Sequence, residues 1–213
     1  MNFTENANFD SPILLITRKR KDSLKKLIRQ LKKIKAKKLY IYSDGCKEGQ
    51  NQICNINKTI KIRKTVLEGI NWPCNVQFNF NYSNLGYKFS TISAIDWFFE
   101  NEKFGIILED DCNPNKSFFY FCRENLIKYE NIKIVGCITG VNFQEGRKIS
   151  KSSYYFSKYN HHWAWATWKN SWELFDKNMK FWPKMKLQRQ WEIDKSMSNS
   201  ERQFWQNLFD SSY

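Results

Sequence analysis

Five short apolar runs constrain this chain more than any other feature: "PILLIT" (12–17), "KLYIYSDG" (38–45), "NVQFNFNYS" (75–83), "FGIILE" (104–109) and "KIVGCITG" (133–140). The first and fourth are continuous, the pattern of strands covered on both faces. The third alternates, with Val76, Phe78, Phe80 and Tyr82 on one side and polar residues on the other. Helical spacing fills the gaps. Leu24, Leu27, Ile28, Leu31 and Ile34 make one amphipathic stripe, with Asp22 or Ser23 as its cap. A poorer helix covers 56–70, Phe89, Ile92, Ile95 and Phe99 mark another, and a fourth runs over about 116–129 behind Pro114. The order β-α-β-α-β-α-β-α-β predicts an α/β fold with a central, mostly parallel sheet flanked by helices. "GIILE" is expected inside that sheet. No repeat or linker is visible. Residues 12–213 read as one domain behind a flexible, polar, Asn-rich stretch over 1–11.

The fourth run ends in three adjacent acids, Glu109, Asp110 and Asp111. Two unit charges ~4 Å apart repel by about 4 kcal/mol at an effective dielectric near 20. Such a cluster needs a cation, hydrogen-bond donors or open water. In open α/β sheets, ligands bind beyond the carboxyl ends of the strands. Thr17 to Arg20, Ser43-Asp44-Gly45, Asn84-Leu85-Gly86 and the acid triplet each follow a strand. Each has a bland reading taken alone: acidic turns are common, Asp44 before Gly45 suits a turn, Asn84-Leu85-Gly86 ends a strand, and Arg20 suits a solvated charge. Their shared position is the signal. It suits a nucleotide held through a hard cation, Mg²⁺ or Mn²⁺.

The charge points the same way. The chain carries 35 basic and 21 acidic residues, a net +14, which favours an anionic partner: phosphorylated ligands, an anionic membrane face or nucleic acid. Much of that charge lies in "RKRKDSLKKLIRQLKKIKAKK", and a Lys-rich helix face is commonly only solvated. The strand-end acids count against nucleic acid, since they repel phosphate unless a metal intervenes. Six cysteines show no CxxC spacing and read as small core residues. No apolar run approaches the ~18–20 residues of a membrane span. The N-terminus lacks the basic start and apolar core of a secretory signal. A cytoplasmic location is expected, at the inner face of the membrane if the basic surface engages it.

The stretch "NLGYKFSTISAIDWFFENEKFGIILEDDCNPNKSFFYFCRENLIKY" (84–129) resembles the GT-A fold nucleotide-diphospho-sugar glycosyltransferases. The likeness is greatest to bacterial members labelled hemolytic-protein-like, which are distantly similar to N-acetylglucosaminyltransferase I. "WAWATWKNSWELFD" (163–176) is similar to a second signature of that family, in which Trp-Gly-Trp-Ala-Thr-Trp is usual; Ala164 stands at the glycine.

The resemblance implies a GT-A (Rossmann-like) fold and metal-dependent, inverting transfer from a nucleotide-diphospho-sugar, a UDP-sugar by preference, to a glycan, lipid-linked or protein acceptor. It implies that Glu109–Asp111 are the family's DXD motif. Asp111 would ligate Mn²⁺ or Mg²⁺, Asp110 would face the ribose or the metal's water shell, and Glu109 would support both. It places Asp44 against the base, Arg20 beside the nucleotide, and Asn84, Gly86 and Lys88 near the donor. The family's general base lies beyond the segment matched by "FWQNLFD" (204–210), so the domain reads as shortened at its C-terminus. Glu192 and Asp194 are the nearest substitute bases. A second copy of the chain, in a homo-oligomer, is a candidate cover for that edge. His161 and His162 read as packed residues ahead of metal ligands or bases. Most of the nine tryptophans read as core, with Trp163 or Trp165 the candidates for stacking on a sugar. The alternative reading is a degenerate member that binds nucleotide-sugar, or a partner, without turnover.

Overall fold

The computed structural model describes residues 9–49, 52–147, 151–188 and 197–212. The chain divides into two compact units, Met1–Trp172 and Glu173–Tyr213.

The first unit is an α/β fold. Its strands are β1 (Ile13–Thr17), β2 (Lys38–Ser43), β3 (Asn75–Phe80), β4 (Phe104–Glu109), β5 (Cys137–Thr139) and β6 (Trp165–Trp168). Its helices are α1 (Lys21–Lys33), α2 (Gln52–Gly69), α3 (Gly86–Asn101), α4 (Lys116–Lys128) and the single turn α5 (Lys169–Trp172). The strands form one mixed sheet in the order β3-β2-β1-β4-β6-β5. β3, β2, β1 and β4 run parallel, and β6 runs antiparallel to both its neighbours.

The continuous runs became the central strands, β1 and β4, paired from Ile13↔Ile106 to Ile16↔Glu109. Alternation along them feeds two cores. Ile13, Leu15, Ile106 and Leu108 meet Leu24, Leu27, Ile28 and Leu31 of α1, Ile62 and Val66 of α2, and Phe119, Cys122 and Leu126 of α4. Leu14, Ile16, Tyr40, Tyr42 and Ile107 meet Ala94, Ile95, Phe98 and Phe99 of α3. Each fully buried Leu, Ile or Phe side chain contributes about 2 kcal/mol. Gly105 permits the second contact, since a Cβ there would lie 2.3 Å from the Phe98 ring.

Three expectations change in detail. Neither Asp22 nor Ser23 caps α1. The helix starts at Lys21 without a side-chain cap. β5 is three residues rather than the eight of 133–140, because the Val135 N–H turns back onto the Ile132 carbonyl. The Trp signature contributes a strand, β6, that the pattern did not announce. Ala164, just before it, has φ 52°, a left-handed backbone that glycine adopts without strain.

In the second unit, α6 (Trp182–Leu187) and α7 (Asn199–Ser212) are joined through Asp210. Its carboxylate accepts from Trp182 Nε1 at 2.9 Å and from Lys186 Nζ at 2.8 Å. No helix among the described residues is long and apolar enough to cross a membrane.

Candidate functional site

The four parallel strands deliver their carboxyl ends to one edge. The pairing Ile16↔Glu109 sets the β1–α1 loop, residues 18–20, beside Asp110 and Asp111. The three acids then part company. Asp110 is only 2% exposed. Its Oδ2 accepts from three successive backbone N–H groups, those of Arg18 (2.6 Å), Lys19 (2.9 Å) and Arg20 (3.2 Å). These donors stand just ahead of α1, on the side where the helix dipole favours an anion. A carboxylate just after β4 thus holds the chain that leads into the uncapped start of α1.

Asp111 points the other way. Its Oδ2 accepts from Arg20 Nη1. The Arg20 side chain is 63% exposed and that of Asp111 27%. Glu109 has its own arginine: Arg18 Nε lies 3.5 Å from Glu109 Oε2. Arg18 Nη2 donates to Thr91 Oγ1 at 2.7 Å, and its guanidinium stacks 4.0 Å from the centre of the Tyr87 ring. Tyr87 donates its hydroxyl to Glu109 Oε1 at 3.4 Å. Burial raises the pKa of Glu109; Arg18 opposes the rise, and Asp111 and Asp110 add to it. Arg18 and Tyr87 were not singled out from the sequence, although Arg18 falls inside the loop that was.

On the neighbouring strand, Asp44 gathers donors rather than facing open space. It accepts from Asn84 Nδ2 (3.1 Å), Gly45 N–H (3.0 Å) and Leu85 N–H (3.1 Å). Asn84 Nδ2 also donates to the Gly45 carbonyl at 2.9 Å. The two strand-end turns are therefore tied together. Gly86, with φ 77°, lets the chain turn out of that knot into α3. Lys88 is exposed two residues on. Arg63 of α2, also unforeseen, donates through Nη2 to the carbonyls of Ser43, Asp44 and Asn81 and braces the same turns. Sequence spacing gave no sign of it, because its targets are backbone atoms.

The far side of the acid turn is aromatic. Antiparallel pairing of Ile107 with Trp165 brings the residues preceding β6 to the carboxyl end of β4. Trp165 is buried in the core, whereas Trp163 is 65% exposed. His161 packs edge-on to Phe143 and His162 edge-on to Trp165, at 4.6 and 4.8 Å between ring centres. Desolvation, and then the neighbouring His161, lower the pKa of His162.

Arg20, Asp44, Asn84, Gly86, Glu109, Asp110 and Asp111 thus fall on one sheet edge. Glu192 and Asp194 lie outside the described residues. Among the described residues, no three His, Cys, Asp or Glu side chains converge as a metal cage. Mg²⁺ and Mn²⁺ at nucleotide sites do not need one; one or two carboxylates and the phosphate oxygens suffice. Asp111, partly exposed and paired with an exposed arginine, has the chemistry of such a half-set; Asp110, committed to backbone donors through Oδ2, would contribute less to it. Scanned against protein families and searched against curated proteins, the chain finds no match.

Proposed function

We propose that this edge binds a nucleotide-diphospho-sugar, a UDP-sugar by preference, and that the protein is a metal-dependent, inverting glycosyltransferase of the GT-A type. The observation that carries the reading is the seam between β1 and β4, where Arg20 and Asp111 meet beside Glu109 and one strand away from Asp44. A cationic and an anionic group at adjacent strand ends suit a diphosphate and its ion. Asp111 would hold Mn²⁺ or Mg²⁺, and the ion would supply Lewis-acid neutralisation of the departing nucleoside diphosphate. Arg20, released from Asp111, is free to pair with a phosphate oxygen. The Asp44–Asn84 knot, with a carboxylate and an amide at the strand ends, supplies groups that can read a base edge. Exposed Trp163 offers a face for the acceptor, a glycan or lipid-linked sugar.

One observation favours the second reading, binding without turnover. Each described carboxylate of this edge already has a protein donor: Asp44 has Asn84 and Leu85, Glu109 has Tyr87, Asp110 the backbone, Asp111 Arg20. A general base must come from a group released on binding or from elsewhere in the chain.

Titration calorimetry with UDP, ADP and GDP, each with and without Mn²⁺, tests the site. The expected result is Mn²⁺-dependent binding with UDP tightest. Equal, metal-independent binding of all three would refute it. Release of UDP from UDP-sugars in the presence of candidate acceptors then separates enzyme from binder.

A further inference from the structure

A second surface, built from α1 and α2, matches a different ligand. The two helices flank a groove of about 460 Å³. Its α1 wall carries Lys21, Lys25, Arg29 and Lys32 at near one-turn spacing, with Glu68 of α2 facing them. Glu68 pairs with Lys64 at 3.5 Å, and Lys32 donates to Asn71. Lys21, Lys25 and Arg29 make no ion pair among the described residues, and all are exposed. Asp22, the one acid of α1, stands three residues before Lys25 and seven before Arg29, at the edge of this band, so four cations face that acid and Glu68.

The adjoining face of α2 is apolar where water should be. Ile53, Ile60 and Leu67 are 78%, 55% and 53% exposed. They recur every seven residues, which keeps them on one stripe. The row Ile60–Lys64–Glu68, four residues apart, carries that stripe across to the groove. A cationic band thus runs beside single-file aliphatic side chains with lysines between.

We propose that this face docks on an anionic lipid bilayer, with the α1 cations against the headgroups and Ile53, Ile60 and Leu67 at the acyl boundary. Interfacial helices have this composition: aliphatic residues on one side and lysines on the other. A protein partner fits less well, since interface cores are depleted in Lys and apolar in two dimensions rather than along a line. Nucleic acid fits less well again. Neither helix exposes an aromatic ring for a base, and aliphatic side chains gain nothing from a phosphate backbone. The inference does not depend on the transferase reading.

Flotation with phosphatidylcholine vesicles, alone and with an equal part of phosphatidylglycerol, tests it on the full chain. The protein should float only with the anionic vesicles. A basic residue near an anionic leaflet strengthens binding about fivefold. The double variant Lys25→Glu, Arg29→Glu should therefore weaken partitioning by roughly 20-fold or more. Lys103→Glu with Lys133→Glu makes the same change in net charge elsewhere and should weaken it far less. Ile53→Gln with Ile60→Gln should leave partitioning sensitive to salt but lower its plateau. All these positions are exposed, and unchanged thermal melting confirms the fold. Absence of flotation with anionic vesicles would overturn the proposal. So would equal losses in the two charge variants, or displacement from vesicles by an equal charge of duplex RNA.

Discussion

The guanidinium of Arg20 donates to the carboxylate of Asp111 across the seam between β1 and β4. Both side chains reach solvent, so the pair contributes at most about 1 kcal/mol to the fold. A pair so weakly held is easily opened by a cation. Asp111→Asn is therefore predicted to change unfolding free energy by less than about 1 kcal/mol in urea titrations. In the same variant, Mn²⁺-dependent UDP affinity should fall by about an order of magnitude or more, because the charge that holds the ion is gone. Unchanged Mn²⁺-dependent affinity would remove Asp111 from the site.

Asp110 should behave in the opposite way. Its buried Oδ2 satisfies three backbone donors ahead of α1. Asp110→Ala leaves those N–H groups without their acceptor and should destabilise the protein by about 3 kcal/mol. Asp110→Asn keeps an acceptor oxygen without the charge and should lose about half of that. Urea denaturation of the two variants checks the ranking. A loss below 1 kcal/mol for the alanine variant would mean that water replaces the carboxylate.

The contrast between these neighbours shows where sequence reasoning reached and where it stopped. β1 and β4 were legible because their apolar runs are continuous, and parallel strands force their ends onto one edge. Arg20 and Asp111 could therefore be placed together without any structure. That Asp110 turns inward while Asp111 turns outward could not, since a turn of like residues carries no periodicity. Arg18, Tyr87 and Arg63 were missed for a related reason: each acts through a ring, a backbone carbonyl or a distant helix. β6 was missed because a four-residue strand that begins and ends in tryptophan is too short to show alternation. The resemblance to a Trp-Gly-Trp motif did mark Ala164, and that residue has the left-handed backbone that glycine would suit.

That strained position gives a prediction of its own. A Cβ in the left-handed region costs about 1–2 kcal/mol. Ala164→Gly removes the strain, offset by the greater freedom of glycine in the unfolded chain. The variant should gain up to about 1 kcal/mol, read as a higher urea midpoint at unchanged slope. Ala164→Val should lose stability, since a β-branched side chain tolerates positive φ least. A glycine variant less stable than the parent would show that the methyl group packs to more effect than its backbone strains.

His162 supplies the pH-dependent prediction. Its Nε2 lies 2.9 Å from Asn160 Nδ2. An amide nitrogen only donates, so the contact requires a neutral imidazole with its lone pair at Nε2. Protonation there would set two donors against each other and place a charge beside His161. Both effects agree in sign with the lowered pKa, whose first cause is desolvation. The unfolded chain then takes up a proton more readily than the folded one as the pH falls. The stability this contributes is complete above the ordinary histidine value of about 6.5 and is lost as pH falls below it towards the folded pKa. Imidazole NMR should show His162 titrating below 6.5, the value of an unperturbed histidine. Urea midpoints measured from about pH 5 to 8 should fall on the acid side in the parent. His162→Gln keeps an acceptor for Asn160 and cannot titrate, so its midpoints should be flatter over the same range. A His162 midpoint at or above the ordinary value, or the same acid-side fall in the glutamine variant, would show that the Asn160 contact does not select the neutral ring.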